Sequence, residues 1–186
     1  MPSPFPLALA MADAAALAAY AGGADQRWPS GWSAEGMSSV KPEDHIAIAD
    51  IVARYADAVN ARDAGAWGAT WAEQCTWALG PDRVLHGRDE VVTFWRAAMA
   101  SFESVVQVVG HGHAREEGGG AVGSWMLFEV NRRAGADGIV LGCYRDRYVQ
   151  CEGGWLFAER RFATMYRGGL LDGAFLAVTS LTGPDQ

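Results

Sequence analysis

The stretch from Ser104 to Tyr166 constrains this chain more than any other, because four segments rich in β-forming residues follow one another with only short glycine turns between them. The segments are Ser104 to Arg115, Ala121 to Arg133, Ile139 to Gln150 and Trp155 to Tyr166. Their separators are Gly118-Gly119-Gly120, Gly135-Ala136-Asp137-Gly138 and Glu152-Gly153-Gly154. A parallel connection needs a dozen or more residues, so turns this short force neighbouring strands to run antiparallel. The segment is therefore read as an antiparallel meander.

Helical patterning precedes it. Ile46, Ile48, Ile51, Val52, Tyr55, Ala56 and Val59 recur at helical spacing behind Pro42, Glu43 and Asp44, a first turn of the kind helices favour. A short second helix is expected through Trp67, Thr70 and Trp71, then a strand from Gln74 to Leu79, then a third helix from Arg88 to Ser101. Helices first and a meander afterwards make an α+β domain, a curved antiparallel sheet packed against three N-terminal helices and enclosing a pocket.

The expected layout is a flexible Ala/Pro/Gly-rich leader over residues 1–41, the domain over 42–168 and a C-terminal tail over 169–186. The Ala-rich run from Leu7 to Ala21 lacks the basic start of an export signal, since no Lys or Arg precedes Arg27, and Asp13 interrupts it. It is also too short to span a bilayer. The expected location is the cytoplasm, with no membrane contact. The apolar stretch from Leu170 to Leu181 is expected to pack over the pocket mouth or against another subunit.

With 186 residues, half of them hydrophobic, the chain can bury one substantial core. A net charge of -7 and a single Lys, Lys41, exclude a nucleic-acid partner and favour a small, largely apolar molecule. Cys75, Cys143 and Cys151 form no disulfide framework or zinc spacing. No GxGxxG, P-loop or GxSxG pattern occurs. No cofactor and no metal are expected.

On this layout the chain from about His45 to Arg167 resembles the SnoaL-like branch of the nuclear transport factor two superfamily. The carriers are Ile48-Ala49-Asp50-Ile51-Val52-Ala53-Arg54-Tyr55, Trp71-Ala72-Glu73, His86-Gly87-Arg88-Asp89, Gly142-Cys143-Tyr144-Arg145-Asp146-Arg147-Tyr148, Gly154-Trp155 and Glu159-Arg160-Arg161. The resemblance implies a cone-shaped fold shared by dehydratases, dehydrochlorinases, isomerases, ligand-binding modules and small subunits of ring-hydroxylating dioxygenases. It implies a cofactor-free lyase or isomerase acting on a cyclic, largely apolar alcohol or ketone. A noncatalytic binding module or a dioxygenase small subunit is the alternative. A homodimer or homotrimer built on the outer sheet face, which carries Met126, Phe128 and Val130, is expected as well.

The dehydratase-type relatives place a Tyr on the first helix, an Asp five residues later and a His on the first long strand, where the Asp orients the His as a base. Tyr55 matches, but Asn60 and Gln107 stand at the other two positions. Neither replacement can do proton chemistry on carbon, so both are read as neutral hydrogen-bonding groups, Asn60 alternatively as a helix-end cap. Strand alternation offers His111, and after it His113, as a relocated base, weakened by the interior Gly110 and Gly112. Trp125, Leu127 and Glu129 share a face on the next strand, and Trp125 and Leu127 read as pocket wall. Glu129 is either a general acid or base with a raised pKa, or a solvated rim residue paired with Arg132 or Arg133. Tyr144 and Asp146 share a face, with Arg160 as the economical partner of Asp146. Trp71 and Phe162 complete the expected wall. The catalytic candidates are thus Tyr55, His111, Glu129 and Arg160.

Overall fold

The computed structural model describes residues 39–80 and 83–169. Most of the expected leader and tail lies outside the described residues. Helix α1 (Pro42–Ala61) has Pro at its start, and Glu43 and Asp44 sit in its first turn where the dipole favours acids. Its buried stripe is Ile48, Ile51, Val52, Tyr55, Ala56, Ala58 and Val59, the face that the sequence periodicity picks out except that Ile46, in the first turns, is exposed and Ala58 joins it. The helix stops at Arg62, which takes the left-handed conformation while its N–H bonds back to the last turn. Asp63 then caps α2 (Ala64–Gly68), its carboxylate accepting from the N–H groups of Gly65 and Ala66.

The second helix is shorter than its aromatic spacing suggests. Thr70 lies outside it, and Trp71 opens strand β1 (Trp71–Gly80) instead of closing a helix. A further strand, β2 (Arg83–His86), pairs antiparallel with β1; its four residues are too few to carry a periodic signal. Helix α3 (Arg88–Met99) follows, and then β3 (Ser104–Glu117), β4 (Gly120–Arg133), β5 (Ala136–Cys151) and β6 (Gly154–Gly168) form the meander. The sheet order is β2-β1-β6-β5-β4-β3, with β1 parallel to β6. No helix among the described residues is long and apolar enough to cross a membrane.

The helices cover the concave face of the sheet. Trp67 of α2 stacks on Trp95 of α3 with centroids 4.8 Å apart, and Trp71, Trp77, Tyr55 and Phe157 pack around the pair. Such rings bury large apolar area and account for much of what holds helices to sheet. At the other end, Trp155 Nε1 donates to Asp44 Oδ1 at 2.9 Å, tying the first turn of α1 to β6. Ordered packing begins ahead of Pro42, because Val40 is buried and Ser39 bridges Arg115 on β3.

One irregularity decides which side chains face inward. Between Val109 and Gly112 the β3 register slips against β4, two residues of β3 standing opposite Met126 alone. Beyond the slip Gly112 lies under the Trp125 indole, so closely that a Cβ there would sit 2.2 Å from Trp125 Cε3. Gly112→Ala should therefore destabilise the fold by about 1–3 kcal/mol, the usual range for overpacking. Chemical denaturation measures it, and an unchanged midpoint would contradict this packing.

Candidate active site

The centre of the fold is a fully enclosed cation. Arg160 of β6 is 0% exposed. Its Nε and Nη2 donate to Oδ1 and Oδ2 of Asp146 on β5, both at 2.8 Å. Above and below the guanidinium lie the rings of Tyr144, Phe157 and Tyr55, at 3.8, 4.0 and 4.2 Å from centroid to Cζ. Burial opposes the charge, but Asp146 outweighs burial and holds the guanidinium above its ordinary pKa. Asp146 Oδ2 also accepts from the Tyr148 hydroxyl at 2.7 Å, which in turn accepts from Trp125 Nε1 at 2.8 Å. The chain Arg160, Asp146, Tyr148, Trp125 thus crosses β6, β5 and β4.

Beside this centre lies a cavity of about 60 Å³. Its polar lining is Tyr55 from α1, Gln107 from β3, Glu129 from β4 and Tyr144 from β5. Its apolar lining includes Val59, Trp77, Trp95, Met99, Phe102, Val105, Leu127, Val140 and Phe162. Gly142 makes room for Phe162: a Cβ there would fall 2.3 Å from Phe162 Cζ.

Gln107 and Glu129 face each other in the β3–β4 register. Gln107 Nε2 donates to Glu129 Oε2 and Asn131 Nδ2 donates to Glu129 Oε1, each at 2.7 Å. Burial nevertheless pushes the Glu129 carboxyl above the usual carboxylate range, against these two donors and the Arg167 charge. Burial likewise raises the Tyr55 and Tyr144 phenols, which stay protonated at neutral pH.

Several sequence expectations need correction. His111 is exposed and does not line the cavity, because the slip after Val109 breaks the alternation that would have turned it inward. Glu129 is half-buried and bonded to Gln107 and Asn131, while Arg132 pairs with Asp137, through Nε and Nη2 at 2.6 and 2.9 Å. Asn60 neither caps a helix nor lines the cavity. Its carboxamide accepts from the Gln107 N–H at 2.7 Å and donates to the Gln107 carbonyl at 2.9 Å, so it clamps the β3 backbone. Trp71 belongs to the aromatic core. Trp125 is buried against Tyr148 and His45, outside the cavity lining. Arg160 and Asp146 lie beneath the Tyr55 and Tyr144 rings and do not line the cavity either.

Tyr55, Gln107, Leu127, Glu129, Tyr144 and Phe162 are brought together as the cavity wall. Val105 and Val140 escaped notice although their positions flag them: Val105 is two residues before Gln107, and Val140 pairs with Glu129. Phe102 and Met99 lie at the end of α3 and just beyond it, where no strand periodicity reaches.

The sequence pattern of the SnoaL-like domain matches residues 41–161, which span both the clamp helix and Arg160. The chain belongs to the SnoaL-like domain family. Among solved structures, this SnoaL-like domain is similar to a protein of Novosphingobium aromaticivorans assigned as a scytalone dehydratase, at 19% identity and TM-score 0.63, over 73% of this chain and 93% of that one. It is also similar to a type 2 hexachlorocyclohexane dehydrochlorinase, LinA, at 13% identity and TM-score 0.65, over 73% and 94% of the two chains. A third, assigned as an aromatic ring hydroxylase of N. aromaticivorans, has 21% identity and TM-score 0.63 over 70% and 95%. At these identities the likeness is one of fold. No curated protein matches the chain in sequence.

The buried ion pair makes a direct prediction for this SnoaL-like domain. Asp146→Ala leaves an uncompensated guanidinium among three rings and should cost about 3–5 kcal/mol of stability. The double variant Asp146→Ala/Arg160→Met should recover much of that loss. Thermal unfolding of both variants checks the pair, and equal stability of the two would contradict it.

Proposed function

We propose that this domain is a cofactor-free lyase or isomerase of the dehydratase kind, acting on a small, largely apolar cyclic alcohol or ketone, with Glu129 as its proton-transfer group. The observation that carries this reading is a half-buried carboxyl in the wall of a largely apolar cavity, hydrogen-bonded through both oxygens and pushed above its ordinary pKa. Such a carboxyl works near neutrality as either base or acid.

In an elimination, ionised Glu129 takes a proton from the carbon next to the one bearing oxygen. The C–H electron pair forms the new C=C bond and the C–O bond breaks. Glu129 then returns its proton to the departing oxygen, so that water leaves and the carboxylate is restored. Tyr55 and Tyr144, neutral because burial raises their phenols, serve as donors that stabilise charge on that oxygen. Arg160 acts from beneath them: its positive charge opposes the rise of the Tyr55 phenol. A cavity of 60 Å³ is well below the roughly 300 Å³ at which drug-sized sites begin, so a ring enters only as half-buried Phe102 and Phe162 swing aside.

The test uses a panel of cyclic alcohols and ketones, with product and affinity both measured. Glu129→Gln should lower turnover by roughly a hundredfold to ten-thousandfold with affinity changed only a few fold. Because the base must be ionised, the acid limb of kcat/KM should lie above the ordinary carboxylate range in the wild type. His111→Ala should leave turnover unchanged. Full turnover by Glu129→Gln would reject the role.

The second reading is a module that shelters an apolar ligand without reaction. It draws support from the narrow cavity and from Asn60, whose side chain is spent on the backbone of Gln107 where the dehydratase pattern has an orienting Asp. Tight ligand retention with no product from any panel member favours it.

The same proposal extends to self-association through the outer sheet face. Val106, Val108, Phe128 and Tyr166 are 42%, 53%, 41% and 49% exposed there, and register joins them through Leu141 across four strands. A second copy suits this face because a patch of one apolar character can cover its own like. Sedimentation equilibrium at micromolar concentration should give a dimer or trimer that Phe128→Glu dissociates, and a stable wild-type monomer would reject it.

A further inference from the structure

The cavity wall contains one buried acceptor that no neighbour answers. Gln107 spends Nε2 on Glu129 Oε2, and Asn60 takes its main-chain N–H and carbonyl. Its remaining polar atom, Oε1, is shut off from solvent and receives no hydrogen bond. The residue as a whole is only 9% exposed and lines the cavity. Its neighbours on β3, β4 and β5 do not supply the missing donor. Glu129 is an acceptor while ionised, Asn131 Nδ2 is turned to Glu129 Oε1, and Val105, Leu127 and Val140 have no polar side-chain atom.

A site left this way is biased by charge pattern as well as by shape. A ligand that brings a halogen, an ether or a carbonyl to this spot sets a second electron-rich atom against Gln107 Oε1 and leaves it unpaired. A ligand that brings O–H or N–H satisfies it. Sites built around a buried polar group reject analogues that lack its partner far more sharply than apolar pockets reject a change of size.

The geometry points to Gln107 Oε1 as the element that reads the ligand: the site takes a ring bearing a hydrogen-bond donor, an alcohol or phenol, over the halide, ether or ketone of the same shape. The inference rests on the reading of this cavity as the ligand site and narrows its substrate class. The ligand hydroxyl donates to Gln107 Oε1 while its oxygen lone pairs stay open to Tyr55 or Tyr144. Gln107 is a binding residue here and moves no proton.

The probes are phenol and toluene, which match in shape and differ by a hydroxyl for a methyl, titrated into the full chain and into Gln107→Met/Glu129→Met. The double replacement removes two facing polar groups together, and the one donor it frees, Nδ2 of half-buried Asn131, is freed alike for both probes. Hydration of each probe is the same in both titrations, so it cancels when the affinity ratios are compared. The phenol-to-toluene affinity ratio should fall by at least tenfold in the variant, with toluene binding kept. An unchanged ratio overturns the inference while the cavity reading stands. If the wild type binds neither probe, both are overturned. A measurement that needs no variant guards against misfolding: wild-type protein should bind phenol more tightly than anisole, which keeps the oxygen and lacks the donor, and the reverse order overturns the inference.

Discussion

The buried contact of Arg160 with Asp146 is the constraint on which the rest of the molecule depends. A guanidinium with no exposure to water has to be answered where it stands. Asp146 meets it with two hydrogen bonds, and the faces of Tyr55, Tyr144 and Phe157 meet it with their ring electrons. That requirement fixes the two tyrosines relative to each other and so fixes one wall of the cavity. It also fixes Trp125 through Tyr148, and Trp125 in turn requires a residue without a side chain at Gly112. The register slip that keeps His111 outside begins in the same few residues.

The polar groups stand differently here from the dehydratase pattern that the sequence resembles. That pattern places a carboxylate on the first helix and its partner base on the first long strand. Here the helix position holds Asn60, which grips the main chain of Gln107, and the strand position holds Gln107, which passes its side chain across to Glu129. The carboxyl group that remains among apolar groups is on β4. An amide suits the clamp better than a carboxylate does, since it can both accept from an N–H and donate to a carbonyl.

Much of the fold is legible in the sequence because it rests on local rules. The turns of the meander follow from glycine clusters, and α1 follows from a seven-residue apolar stripe; both depend on spacing within one segment. The Asp146 partnership with Arg160 is also legible, because a buried charge leaves few alternatives. What escapes local reading is long-range. The clamp joins residues 47 apart, and the slip between Val109 and Gly112 answers to a Trp on the neighbouring strand. Trp71 misleads for the same reason, since aromatic spacing alone does not separate the end of a helix from the start of a strand. Glu129 carries two readings in the sequence, and its contacts with Asn131 and Gln107, one of them on another strand, are not among the pairings that local spacing suggests.

The clamp on β3 has a further consequence, for how copies of this protein can and cannot join. β3 is the outermost strand of the sheet, and a bare strand edge invites an incoming strand to continue the ladder from one molecule to the next. At Gln107 the outward N–H and carbonyl are already taken by Asn60, and farther along Ser39 bridges Arg115. A strand approaching from solvent meets an edge occupied near both of its ends. The side-chain amide that holds the cavity wall in register therefore also takes from an incoming strand one of the pairing sites on this edge.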